Sequence, residues 1–322
     1  MAGDTKARAV HSGFRRAVLA ACATGLCLGA TTGGNGEGAG AAAQAEQLFR
    51  RAAAVIRVER ERAGWSQRDR PGAAGLEPDR AALVGVEWSP LVTTLGSLES
   101  KRSSTDPRWA RALVDQLAAH GVGRGGTVTA SFSGSFPGLN LALMAACRAL
   151  DARVLAVSSV TASTWGANEA GFTWPEMEVK VVAAGVLPAA TIAVSVGGSA
   201  DIGRDLGDEG LALARRIQRE TAAALRARRL DGGSLAESVD LRIAAYRAAV
   251  GDARPAAYVN VGGNHASLGG ASADWRHDGG WLAAPEVPGR ASRSVVARYL
   301  AEGVPVLSLL DLKALARRWG VV

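Results

Sequence analysis

The stretch "TVTASFSGSFPGLNLALMAACRAL", Thr127 to Leu150, begins with residues that favour extended backbone and ends with residues that favour a helix. Thr127, Val128, Thr129 and Phe132 suit a strand, and from Leu139 onward apolar residues recur at helical spacing. The connection between the two is Ser-Gly-Ser-Phe-Pro-Gly. A structural turn needs one glycine and one cap, whereas this turn carries two glycines, two hydroxyls, a proline at the start of the helix and Asn140. That composition suits ligand binding where a helix begins.

The same alternation recurs along the chain. Strands are expected at 83–87, 127–133, 153–158, 190–196, 256–261 and 304–309. Helices are expected at 44–63, 107–119, 138–150, 173–184, 208–228, 234–250, 291–302 and 311–319. Such alternation predicts an α/β domain with a mostly parallel sheet and helices on both faces, a three-layer arrangement spanning 81–322. No repeat of 20 to 50 residues is visible, which disfavours a solenoid.

Ahead of that domain the composition changes. A basic region ending in Phe14-Arg15-Arg16 leads into an apolar run, Ala17 to Ala30, shorter than the about twenty residues a bilayer span requires. Residues 1–30 therefore read as a signal peptide or signal-anchor. A Gly/Ala-rich tether at 31–43 and a helical arm at 44–80, with an apolar stripe of Leu48, Ala52, Val55 and Ile56, follow. The formal net charge is +7, of which the first thirty residues supply +3, and the remaining +4 contains no dense Lys/Arg block. Nucleic acid is thus a poor partner for this chain. Cys147 is the only cysteine outside the N-terminal segment, so no internal disulfide staples the domain.

In an open parallel sheet, ligands bind beyond the carboxyl ends of the strands. Those ends, "SFSGSFPGLN", "VSSVTASTWGAN", "VSVGGSADIGRDLG" and "VNVGGNHASLGG", are rich in Gly, Ser, Thr and Asn, while turns at the opposite edge, "LDARV" and "EGVPV", are plain. A site assembled from several strand ends is the expectation. Its binding candidates are Ser133, Ser159, Trp165, Asn168, Gly198, Asp201, Arg204, Asn260, Gly263 and Asn264. Ser135 at the strand-to-helix turn is a candidate nucleophile, or one serine caps the helix and both bind an anion. His265 is the one histidine at a strand end and so the one candidate imidazole base, with a solvated loop histidine as the plain alternative.

The segment Val84 to Pro107 is dense in chemistry. Glu87 and Lys101 are candidate acid/base groups, and Thr93, Thr94, Ser97, Glu99 and Arg102 are candidate substrate contacts. Its plain reading is a solvated loop ending in a cap at Thr105 or Asp106, with Pro107 in the next helical turn. Only four lysines occur in the chain, which singles out Lys101. Other patterns carry no weight. "GVGRGG" at Gly121–Gly126 precedes a strand instead of following one, no P-loop occurs, and His120, His265 and His277 form no metal set. No nucleotide or metal cofactor is signalled.

Six blocks in order, "GVEWSPLVTTLGSLESKRSSTDP", "SGSFPGLNLALMAA", "SSVTASTWGANEAGFTWPEME", "SVGGSADIGRDL", "VNVGGNHASLG" and "GVPVLSLLDLKALARRWG", cover most of the chain from Gly85 to Gly320. Together they resemble the poly-γ-glutamate system proteins, encoded beside the enzymes that make and export poly-γ-glutamate capsules. The resemblance implies a membrane-associated component of that biosynthesis. Its partners would be poly-γ-glutamate or γ-glutamyl compounds and other synthesis proteins. The N-terminus would anchor it with the domain on the extracytoplasmic side, or it would be exported after signal cleavage. No catalytic residues follow from the resemblance. Three readings stand: a hydrolase or transferase of γ-glutamyl bonds, with Ser135, Thr93 or Thr94 as nucleophile and His265, Glu87 or Lys101 as base; a noncatalytic polymer-binding scaffold; and, more weakly, a sugar- or nucleotide-modifying enzyme, for which the sequence carries no phosphate-binding signature. Lys101, Arg102 and Arg204 are expected to hold γ-glutamyl carboxylates.

Overall fold

A computed structural model describes residues 34–270, 279–283 and 293–321. The expected signal or anchor at 1–30 lies outside the described residues. Among them, no helix is long and apolar enough to cross a membrane.

The strand and the helix read from Thr127–Leu150 are both present. Strand β2 spans Thr127–Phe132 and is buried at every position, and helix α5 spans Pro137–Ala149. Because β2 is covered on both faces, its side chains alternate between two buried layers, Val128, Ala130 and Phe132 to an apolar one and Thr127, Thr129 and Ser131 to the other, instead of between core and water. Seven strands form the main sheet in the order β6, β5, β3, β2, β7, β9, β8. They are β3 (Arg153–Ser159), β5 (Thr191–Ser195), β6 (Arg228–Leu230), β7 (Ala257–Val261), β8 (Gly280–Leu282) and β9 (Val306–Leu309) around β2. All pairs are parallel except β8 with β9. The chain winds outward from β2 through β3, β5 and β6, then returns to lay β7 on the other side of β2. The β2/β7 junction is therefore the topological switch point, where adjacent loops leave in opposite directions and open a crevice.

Val128, Ala130, Phe132, Ala156, Val259 and Leu307 face one layer. There they meet α4 (Arg108–Ala119), α5, α6 (Trp174–Ala183) and α11 (Leu312–Arg318). Val157, Ala193, Tyr258 and Val306 face the other layer, formed by α8 (Leu235–Val250), α9 (His265–Leu268) and α10 (Val295–Ala301). Helix α7 (Asp208–Leu225) covers Val194 and Val196 through Ala214 and Ile217. The expected α/β fold with helices on both faces is thus present.

Three expectations need correction. Helix α1 runs Gly34–Arg62, so it begins inside the segment read as a tether, and Ala42, Ala45, Phe49 and Ile56 are buried in the main core. Ala42 and Ala45 continue at helical spacing the stripe that includes Phe49, Ala52 and Ile56, and glycine content concealed it. The strand expected at 83–87 is absent from the main sheet. A short helix α2 (Pro78–Ala81) ends just before it, and the Gly85 and Trp165 amides donate to the carbonyls of Trp165 and Val86 in a local pairing. Residues Val92–Thr94 (β1) and Ala162–Ser163 (β4) form a separate parallel pair beyond the strand ends. The hydroxyl-rich run after them is helical. Helix α3 spans Leu98–Ser104, capped by the Ser97 hydroxyl, which accepts the Ser100 amide.

Helix α3 meets α5 with no space between backbones: a Cβ at Gly138 would lie 2.2 Å from the Ser104 carbonyl oxygen. Gly138→Ala should therefore cost about 1–3 kcal/mol of unfolding free energy by overpacking, read as a lower urea midpoint at unchanged slope.

Candidate functional site

The strand ends at the switch point open into a cleft of about 490 Å³. Its floor comprises the turns after β2 and β7, its sides the ends of β3 and β5, and its upper wall β1, β4 and the start of α3. Lys101, Ser135 and Ser163 lie on one side of it, and His265, Asp205 and Ser199 also line it.

Lys101 is 3% exposed. Its Nζ lies 2.5 Å from the Ser135 carbonyl oxygen and 2.7 Å from Ser163 Oγ, and stands 3.7 Å from the centre of the Phe136 ring. Among the described residues no carboxylate forms an ion pair with it. Burial alone drives its pKa well below the ordinary lysine value. The Ser163 amide donates to Ser135 Oγ at 3.0 Å, and the Ser135 amide to Ser133 Oγ at 3.1 Å. Gly96 is required for this packing, since a Cβ there would lie 2.8 Å from Ser163 Oγ and 2.9 Å from Lys101 Cε.

Beneath the cleft lies a buried ion pair. Arg242 of α8 donates from Nε to Asp201 Oδ2 at 2.7 Å and from Nη2 to Oδ1 at 2.8 Å. The same guanidinium reaches Ser195 Oγ at 2.8 Å, Ser159 Oγ at 3.2 Å and Ser131 Oγ at 3.3 Å, touching the ends of β5, β3 and β2. Burial opposes its charge, but Asp201 outweighs burial and the pKa stays above the ordinary arginine value. Ala200 and Asp201 hold positive φ of 57° and 65°. A pair of non-glycine residues in this region costs roughly 1–3 kcal/mol each and persists only where surroundings impose it.

The expected site residues divide accordingly. Thr93, Thr94, Ser133, Ser135, Ser159, Gly198, Gly263, Asn264 and His265 join Lys101 at the cleft. Asn264 caps α9 and donates to Ser159 Oγ at 3.0 Å. His265 Nδ1 accepts the Ala200 amide at 3.1 Å, which engages the lone pair of that nitrogen and leaves Nε2 as the ring nitrogen turned to other partners. Glu87 is exposed and outside the cleft lining. Ser97 is spent as a cap, and the exposed Glu99 lies 3.8 Å from Lys313. Arg102 donates to the Gly72 carbonyl at 3.2 Å, and Arg204 is exposed beyond the lining, so the expected carboxylate clamp is not assembled. Trp165 packs with Ala73, Ala81 and Val84, and Asn168 pins Val86 by both its amide and carbonyl. Asn260 donates to the Gly262 carbonyl at 2.9 Å inside the turn, and Asp201 belongs to the ion pair. Among the described residues no group of three His, Cys, Asp or Glu stands together as a metal set.

Sequence reading missed Ser163, Thr161, Ser199, Asp205 and Arg242. Arg242 had a usable signal: with Val239, Ile243 and Tyr246 it occupies the buried stripe of α8 at helical spacing. An arginine on such a stripe calls for a buried acid. Ser163 had no comparable signal, because its meeting with Lys101 spans 62 residues.

Asp201→Asn leaves the Arg242 charge uncompensated in the interior and should cost about 3–5 kcal/mol, measured by chemical unfolding. Surface pairs such as Arg247 with Glu302 should change stability by less than about 1 kcal/mol when broken.

No family model matches the chain, and no curated protein or solved structure matches it either.

Proposed function

We propose that the protein is a membrane-associated component of poly-γ-glutamate biosynthesis or export whose cleft acts on γ-glutamyl amide bonds as a hydrolase or transferase. The observation that carries this reading is the buried, acid-free Lys101 amine hydrogen-bonded to a serine hydroxyl at the edge of an open cleft. Attack on an amide needs a base that is neutral near working pH, and a lysine held away from water and from carboxylates meets that need. The sequence resemblance supplies the substrate class. Hydroxyls and backbone groups, with the His265 ring, supply the means of holding a γ-glutamyl chain in place of the absent arginine clamp.

A noncatalytic polymer-holding subunit is the second reading. The observation on its side is that Lys101 also cross-links α3, the Ser135 turn and β4, which is a structural task in itself.

Incubation of the protein with short γ-glutamyl oligomers, followed by mass spectrometry of chain lengths, separates the two. Enzyme action predicts shortening or transfer, reduced by about 10²–10⁴-fold in Lys101→Met. Saturable binding with no turnover in the parent protein would support the scaffold. The active form of Lys101 is neutral, so kcat/KM should rise with pH through a value well below the ordinary lysine range. In stability the sign is the same. This depressed amine contributes fully above the unfolded lysine pKa, and its contribution is lost as pH falls through the folded value. Lys101→Met should lack that component of the pH dependence.

A further inference from the structure

We infer that Ser163 is the nucleophile of this cleft and forms an acyl-enzyme ester, with Lys101 as its base and later its acid. The inference rests on the reading of the cleft as an enzyme for γ-glutamyl amides and names the residue that reading leaves open.

Among the cleft hydroxyls, Ser163 alone has its oxygen against the amine. Lys101 Nζ touches Ser135 through the main-chain carbonyl, while the Ser135 hydroxyl oxygen accepts the Ser163 amide. Ser133 Oγ accepts the Ser135 amide, and the Thr93 hydroxyl donates to the Ala162 carbonyl at 3.4 Å. A neutral amine has two hydrogens and one lone pair. One hydrogen satisfies the Ser135 carbonyl, and the lone pair then faces the Ser163 hydroxyl at 2.7 Å, which is the geometry for taking its proton. Ser163 is held in that position by the β1/β4 pairing and by the close approach of Gly96.

The chemistry balances within the site. Lys101 takes the Ser163 proton as Oγ bonds to the γ-carbonyl carbon. The C–N bond then breaks, the proton passes from Lys101 to the departing amine, and an ester remains on Ser163. Water, or the amine of a second γ-glutamyl chain, attacks the ester with Lys101 again taking the proton. Ser163 leaves as the oxyanion, recovers that proton, and the product is the free acid or a new amide.

The test is fluorophosphonate labelling of the full-length protein, with peptide mapping, beside turnover of γ-glutamyl oligomers. The Ser163 oxygen should displace fluoride and carry the label. Ser163→Ala should abolish both labelling and turnover, and Lys101→Met should slow labelling by about 100-fold or more. Ser163→Cys, which keeps a nucleophile in place, should be alkylated at position 163 by iodoacetamide, and so tests accessibility even where Ser163→Ala fails to fold. Turnover with the label at Ser135 or Thr93, or turnover surviving in Ser163→Ala, would overturn the inference and leave the γ-glutamyl reading intact. Labelling at Ser163 without turnover of any γ-glutamyl oligomer would keep the nucleophile and overturn the substrate reading. Absence of label, with position 163 also inert in Ser163→Cys, would overturn the inference.

Discussion

The Arg242–Asp201 ion pair is the constraint on which the site depends. A guanidinium removed from water is tolerable only when its donors are answered, and here a bidentate carboxylate and three serine hydroxyls answer them. The three serines sit at the carboxyl ends of β2, β3 and β5, so one side chain from α8 locks three adjacent strand ends in register. Asp201 in turn lies in the loop after β5, and its ion pair holds Ala200 and Asp201 in left-handed backbone that neither would adopt in isolation. That conformation presents the Ala200 amide to His265, joining the loop after β5 to the helix after β7. A network so connected is stiff because no member can move without leaving another unpaired.

Above this floor the cleft has a wall of different construction. Strand pair β1/β4 and helix α3 belong to no part of the main sheet, and they are fastened to it by close backbone approach and by Lys101. Gly138 against Ser104 sets the distance between α3 and α5, and Gly96 sets the distance between β1 and the Lys101 side chain. The amine then bridges α3, the turn after β2 and β4. Floor and wall therefore meet at Ser135 and Ser163, and the geometry of these two hydroxyls reflects both.

The fold was largely legible because its main elements obey strong periodicities. Strands covered on both faces read as short apolar or β-branched runs, and α4 to α8 read at helical spacing with ends displaced by few residues. What escaped was local and small. Strands β1, β4, β6 and β8 have two or three residues each, too few for any period, and α3 hid its helix beneath hydroxyls that act as caps and turn formers elsewhere. In the site, strand-end composition located Ser133, Ser135, Gly263 and Asn264. It could not distinguish Arg102, drawn away by the Gly72 carbonyl, from Lys101 beside it, drawn inward. Adjacent helical residues point about 100° apart, and which of the two faces the cleft is decided by how α3 docks on α5.

The chemical identity of residue 101 bears on its role. This chain buries arginine where it needs an internal cation: Arg60 pairs with Glu169, and Arg242 with Asp201. Among the described residues Lys101 is the one buried lysine, and it stands where no carboxylate is within ion-pairing distance. A guanidinium in that position would remain charged and would bring five donors to a place offering one carbonyl and one hydroxyl. An amine can shed its proton, after which two contacts and an aromatic face suffice to satisfy it. Among the described residues the one buried basic side chain without an acid is thus an amine, whose charge burial opposes and which is able to shed its proton, and it stands beside the Ser163 hydroxyl.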